Sequence, residues 1–136
     1  MLYGKWIKSC GWYPDRQVSL YNKLQTGFSS DLVHEKVLKK NLIEKSLQEP
    51  IYHYSYEGAD DFLDKMQKYS TLFAKKKAST SCLLLLRATL SSIFTFFKSY
   101  FLQRGFLSGS EGFVISAYKS HVAFYKYLKC WEFRKK

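Results

Sequence analysis

Two patterns of apolar and polar positions divide this chain, and they meet at Pro50-Ile51-Tyr52-His53-Tyr54-Ser55-Tyr56. Before that stretch, apolar residues come in short runs cut by Gly, Pro, Asn and charged side chains. After it they recur every three or four positions over long stretches with little punctuation, which is helical spacing. The first part predicts short strands at Lys5-Trp6-Ile7-Lys8, Gln17 to Tyr21, Val33 to Val37, Asn41 to Glu44 and Ile51 to Tyr56. An aromatic turn, Gly11-Trp12-Tyr13-Pro14-Asp15, separates the first two, and Asn22 to Ser30 is loop.

The second part predicts three amphipathic helices. The first begins after Gly58, with Asp60 and Asp61 at the positive end of the helix dipole, an apolar stripe Phe62, Met66, Tyr69 and Phe73, and a stop at Lys75-Lys76-Lys77. Asp61 with Lys65, and Asp64 with Lys68, are acid-first pairs four residues apart. The second runs from Cys82 to about Gln103, striped by Leu83, Leu86, Leu90, Ile93, Phe97 and Tyr100, until Gly105 breaks it. The third runs from about Glu111 to Phe133, striped by Phe113, Ala117, Phe124, Leu128 and Trp131. The expected class is therefore α+β.

Composition sharpens this picture in three ways. Hydrophobic residues make up 46% of the 136, which excludes a disordered polypeptide. The 11 Tyr, 11 Phe and 3 Trp favour broad contact surfaces with polar tips. Of the net charge of +11, Lys75 to Lys136 supplies +10, with 12 basic and 2 acidic residues, so an anionic partner is expected there. Phospholipid and nucleic acid both answer that description. Cys10, Cys82 and Cys130 are odd in number and lack metal-type spacing, as reduced cytosolic thiols would be. The N-terminus has no signal-peptide core, and Arg87 and Lys98 interrupt the longest apolar run before it reaches the length of a membrane span. Apolar stripes in a strongly basic region, with little sheet to cover them, fit helices lying in a membrane interface better than an ordinary core.

Candidate chemistry is sparse. His34-Glu35 could take a proton from a hydroxyl, or be a solvated charge beside a surface histidine. His53 could ligate a metal or simply hydrogen-bond. Trp12 to Asp15 could stack on a sugar or pack under a sheet. There is no glycine-rich phosphate loop, no Cys/His cluster and no Ser-His-Asp arrangement.

In order, Gly11 to Asp15, Gln17 to Lys23, Val33-His34-Glu35 and Pro50 to Tyr56 resemble the second half of family 2 glycosyltransferases. The branch is that of bacterial enzymes adding a hexose to the lipopolysaccharide inner core. The likeness continues through Lys65 to Ser70, Lys98 to Leu107 and Gly112-Phe113. It implies C-terminal strands of an incomplete GT-A domain, residues 1–56 on the acceptor side, followed by a basic helical tail over 57–136. It also implies inverting transfer from a nucleotide-sugar to a lipid-linked saccharide, with a divalent metal (Mg or Mn) at the diphosphate. Glu35 would be the general base with His34 beside it, Trp12, Tyr13, Asp15 and Arg16 would border the substrate, and His53 would lie near the metal.

The resemblance places the parent enzyme on the cytoplasmic side of the bacterial inner membrane, against its anionic surface, with no nucleic-acid partner. A basic membrane- or nucleic-acid-binding module without catalysis is the alternative. Two positions depart from the family pattern: Ser19 stands where an arginine is usual and Ser108 where an aspartate is usual. No Asp-x-Asp metal motif occurs, so the nucleotide-binding half would have to come from a separate N-terminal part, and the isolated chain is expected to be inactive.

Overall fold

The computed structural model describes residues 2–16, 18, 20–29, 37–38, 42–47, 49, 51, 56, 58–77 and 83–135. Among these there are three α-helices: α1 (Ala59–Lys76), α2 (Leu84–Phe97) and α3 (Gly109–Lys135). α2 runs directly into a π-helical turn, Lys98–Leu102, and a 3-10 turn, Gly105–Ser108, leads into α3. α3 is the hub, with α1 and α2 both packed along it.

α1 starts where its charges predict. The Asp61 carboxylate accepts a 3.4 Å hydrogen bond from the Gly58 N–H, meeting one of the orphan donors at the helix start. Lys75 and Lys76 occupy the last turn, at the negative end of the dipole. Its buried face is Phe62, Met66, Ser70 and Ala74, while the expected stripe residue Tyr69 remains exposed. The Ser70 hydroxyl donates to the Met66 carbonyl at 2.6 Å, which lets a polar residue sit in that face.

The α+β expectation is overturned. Among the described residues there is no β-strand and no sheet, only the isolated bridges Leu2↔Lys5, Leu2↔Tyr56 and Phe28↔Val37. The C-terminal strands of a GT-A domain are therefore not seen. The physical reason is visible at residues 5–10. Ile7 and Ser9 do turn inward in alternation, but a strand needs a neighbouring strand for its backbone groups. Here the neighbour is helical: the Cys10 N–H donates to the Gln103 carbonyl at 2.9 Å, and the Lys119 ammonium donates to the Cys10 carbonyl. Asn22 to Thr26 forms a turn, with the Gln25 and Thr26 N–H groups donating to the Asn22 carbonyl at 3.1 Å. Of the other expected strands, Gln17, Ser19, 33–36, Asn41 and 52–55 lie outside the described residues.

The core is split along α3. One cluster joins Leu2, Ile7 and Cys10 to Phe62 and Ile115, with Trp12, Tyr56 and Tyr118 packed against it. The other joins Ala74, Leu84 and Cys130, bordered by Phe73, Tyr127 and Trp131.

α2 departs most from its expected facing. Leu83, Leu86, Leu90, Ile93 and Phe97 are 50% to 64% exposed. Leu84, Ala88 and, in the π-turn, Ser99 are buried instead. Across from this side on α3 stand Ser116 and Ser120, four residues apart, with Gly112 one turn earlier against the 3-10 turn. The Ser116 hydroxyl bonds the Ser99 hydroxyl at 3.0 Å, and the Ser92 and Ser120 hydroxyls lie 2.7 Å apart. Small residues let the two backbones approach closely, and their hydroxyls satisfy one another inside the contact.

Gly105 ends this region for a different reason from the one its sequence suggests. Arg104, not Gly105, takes the left-handed conformation, at φ 55°. A Cβ on Gly105 would meet the Ser99 carbonyl oxygen at 2.9 Å, and one on Gly112 would meet the Gly105 oxygen at 1.8 Å. Both glycines are required by close approach of backbone to backbone.

Candidate functional site

The N-terminal segment, held down at Cys10, and the turn after α2 enclose an open cleft of roughly 600 Å3. Its described lining comprises Lys5, Trp6, Lys8, Ser9, Gly11 and Tyr13 from one side and Leu102, Gln103, Arg104, Leu107 and Ser108 from the other. Gly11 has φ 68°, a conformation that favours glycine, and a Cβ there would lie 2.7 Å from the Gln103 side chain, which would have to move aside.

Two features give the cleft its character. Trp6 and Tyr13 meet edge to face, with ring centroids 5.7 Å apart, and the Lys8 ammonium lies 4.2 Å from the Trp6 ring centre. The second feature is charge. Lys5 is paired with Glu111 at 3.0 Å, which leaves Lys8 and Arg104 as the excess positive charge of the lining. Hydrogen bonds at the start of α3 and from Lys5 hold the Glu111 carboxyl below its ordinary range. The Ser108 hydroxyl lies 2.7 Å from that of Ser9, which ties the two walls together.

Flat rings beside cations suit a saccharide carrying phosphate or carboxylate: the rings cover the sugar's C–H face and the cations meet the anion. The polar groups of the described lining are the lysine, arginine, serine, glutamine and tyrosine side chains, which can hold an anion and hydroxyls by charge and hydrogen bonds. Nowhere among the described residues do three or more His, Cys, Asp or Glu side chains gather as a metal site would require.

The residues singled out in the sequence are spread across this geometry. Tyr13 lines the cleft. Trp12 is half-buried behind it, stacked on Tyr56 at 5.4 Å, with Tyr56 in turn stacked on Phe62 at 4.2 Å. Tyr56 and Tyr118 share a hydrogen bond, and burial raises both phenols above their ordinary range. Asp15 and Arg16 are exposed beyond the turn. Glu35, His34 and His53 lie outside the described residues. The cleft residues Trp6, Lys8 and Arg104 were not singled out as a site in the sequence. About a hundred residues separate its two walls, and no spacing rule links them.

Among known proteins, the chain is 30% identical over 127 residues to a protein of Rickettsia conorii named an uncharacterized glycosyltransferase. It has the same identity over the same length to a Rickettsia felis protein of that description. Each match covers 83% of this chain but 43% of the relative, so the chain spans less than half the length of these curated relatives. The likeness supports a glycosyltransferase relationship. No family model matches the chain, and no solved structure matches it.

Proposed function

We propose that this chain forms the acceptor-side part of a glycosyltransferase, of the family 2 kind, that moves a hexose from a nucleotide-sugar onto a lipid-linked saccharide such as a lipopolysaccharide core. The observation that carries the reading is the similarity to the two rickettsial glycosyltransferases over 83% of the chain. The cleft supports it on chemical grounds, pairing ring faces with the cations Lys8 and Arg104. Leu102 and Leu107, 75% and 68% exposed, give its rim an apolar side suited to the lipid end of such an acceptor. Tyr13 would border the sugar, Trp12 would hold the turn from behind, and Asp15 and Arg16 would extend the surface outward.

In an inverting transfer, the acceptor oxygen bonds the anomeric carbon as that carbon's bond to the diphosphate breaks. Glu35 would accept the hydroxyl proton, with His34 beside it, and the nucleoside diphosphate leaves. A positioned base contributes about 10²–10⁴ in rate. A divalent metal would supply charge stabilisation for the departing diphosphate; the described residues offer no cluster for it.

The test is a chimera in which this chain replaces the matching part of the Rickettsia felis relative. It would be assayed with radiolabelled nucleotide-hexoses and a lipid-linked saccharide extract. Transfer by the chimera, and its loss by about 10²-fold or more in Glu35→Gln with donor binding retained, is the expected result. An inactive chimera beside an active parent would overturn the reading, and undiminished turnover in Glu35→Gln would remove that residue from it.

A further inference from the structure

We propose that the outward face of α2 and its π-turn docks on an anionic lipid bilayer, lying flat in the headgroup region. Leu86, Leu90, Ile93, Phe94, Phe97 and Phe101 are each 50% to 63% exposed, and their three-and-four spacing keeps them on one side of the helix. The opposite side, against α3, holds Leu84 at the helix start and beyond it the small residues Ala88, Ser92 and Ser99. Small, mutually bonded residues inside and large apolar ones outside is how helices pack when their outer surroundings are lipid. In water alone, a contiguous apolar face of this kind marks an interaction surface.

Charge selects the occupant. From Lys65 to Ser110 the sequence holds 8 basic residues and no Asp or Glu. Arg87 and Lys98 are exposed on the helix that carries the apolar face, and Arg104 is exposed just beyond it. Anionic headgroups complement that arrangement. A second copy docked by the same face would set like charges against each other. No helix of the described residues is long and apolar enough to cross a membrane, so the mode is interfacial. The inference stands independently of the proposed sugar transfer.

The experiment uses the full chain with phosphatidylcholine vesicles, with and without phosphatidylglycerol, in a co-sedimentation series against salt. The chain is expected to bind the phosphatidylglycerol vesicles and to bind the neutral ones more weakly. The double variant Leu90→Ser, Phe97→Ser should lose at least about ten-fold in affinity while its helical circular dichroism is unchanged. Arg87→Gln and Lys98→Gln should each cost about five-fold, a difference that vanishes at high salt. Phe94→Trp supplies a readout needing no loss of binding: its added emission should shift to the blue on the anionic vesicles.

Any of four results overturns the proposal. One is a chain that stays in the supernatant with anionic vesicles, and another is a double variant that binds as well as the parent chain. Salt-sensitive DNA retention without vesicle binding would assign the basic region to nucleic acid. A dimer that Phe97→Ser dissociates, indifferent to vesicles, would assign the face to a second copy.

Discussion

α1 and α2 pack on the same helix by opposite rules. Against α3, α1 buries its large side chains, Phe62 and Met66, and leaves Asp64 and Lys68 outside, as a helix in water does. α2 buries Leu84 at its start, then only Ala88 and, through its π-turn, Ser99, and leaves Leu90, Phe94 and Phe97 outside. The α1 contact is held by apolar burial and stacked rings. The α2 contact is held by close backbone approach and by a chain of hydroxyls with no unpartnered buried side-chain nitrogen or oxygen among the described residues. The contrast is the ground on which the outward face of α2 is proposed to meet lipid.

The sharpest way to break the contrast is Phe62→Ala. It should cost about 3–5 kcal/mol, because the ring is buried in the first cluster and stacked on Tyr56. Chemical denaturation measures it; a loss under about 1 kcal/mol would mean that α1 is not anchored by this stack. Where α3 meets the 3-10 turn after α2, Gly112→Ala should cost about 3 kcal/mol, since the added carbon meets the Gly105 backbone oxygen, which cannot swing away. Ser116→Ala should cost about 1–3 kcal/mol by removing the hydroxyl partner of Ser99.

Outward substitutions on α2 should be nearly silent in the same measurement. Phe97→Ser should change stability by no more than about 0.5 kcal/mol, in contrast to Phe62→Ala. The smallest effect is one of pH. Tyr56 and Tyr118 have raised folded-state pKa values, so between about pH 10 and those values the folded chain binds more protons than the unfolded one. Their contribution to stability is in full force below that window and is lost as the pH rises through it. Desolvation lowers Lys119 and Lys126, and these act in the opposite sense, since the unfolded chain then holds the extra proton. Comparison with Tyr118→Phe isolates the phenol component, and an unchanged alkaline slope in that variant would refute the assignment.

Helix positions were legible in the sequence to within a few residues. The carboxylates at 60–61 and lysines at 75–77 bracket α1, and three-and-four spacing marked α2 and α3. The aromatic turn was also recognisable, and Tyr13 from it reaches the cleft. The pattern at 5–8 led to the wrong element: of these four residues only Ile7 is buried, and a local pattern does not say whether the backbone's partner is a strand or a helical turn. The repeat Gly112, Ser116, Ser120 was available as a signal that α2 packs through small residues. It was overshadowed by the more conspicuous leucines and phenylalanines.

Local chemistry along the chain thus determined where helices begin and end, how positive the second half is, and which residues could share a helix face. Those properties depend on neighbours within one or two turns and need no fold to be read. Only the tertiary structure decided which face of α2 is inside, that Trp6 and Lys8 line one cleft with Arg104, and that residues 5–10 rest on helical turns rather than in a sheet. Each of these depends on contacts between residues far apart in sequence. Which of several competing faces is buried follows from how closely two backbones can come, and that is a property of the pair.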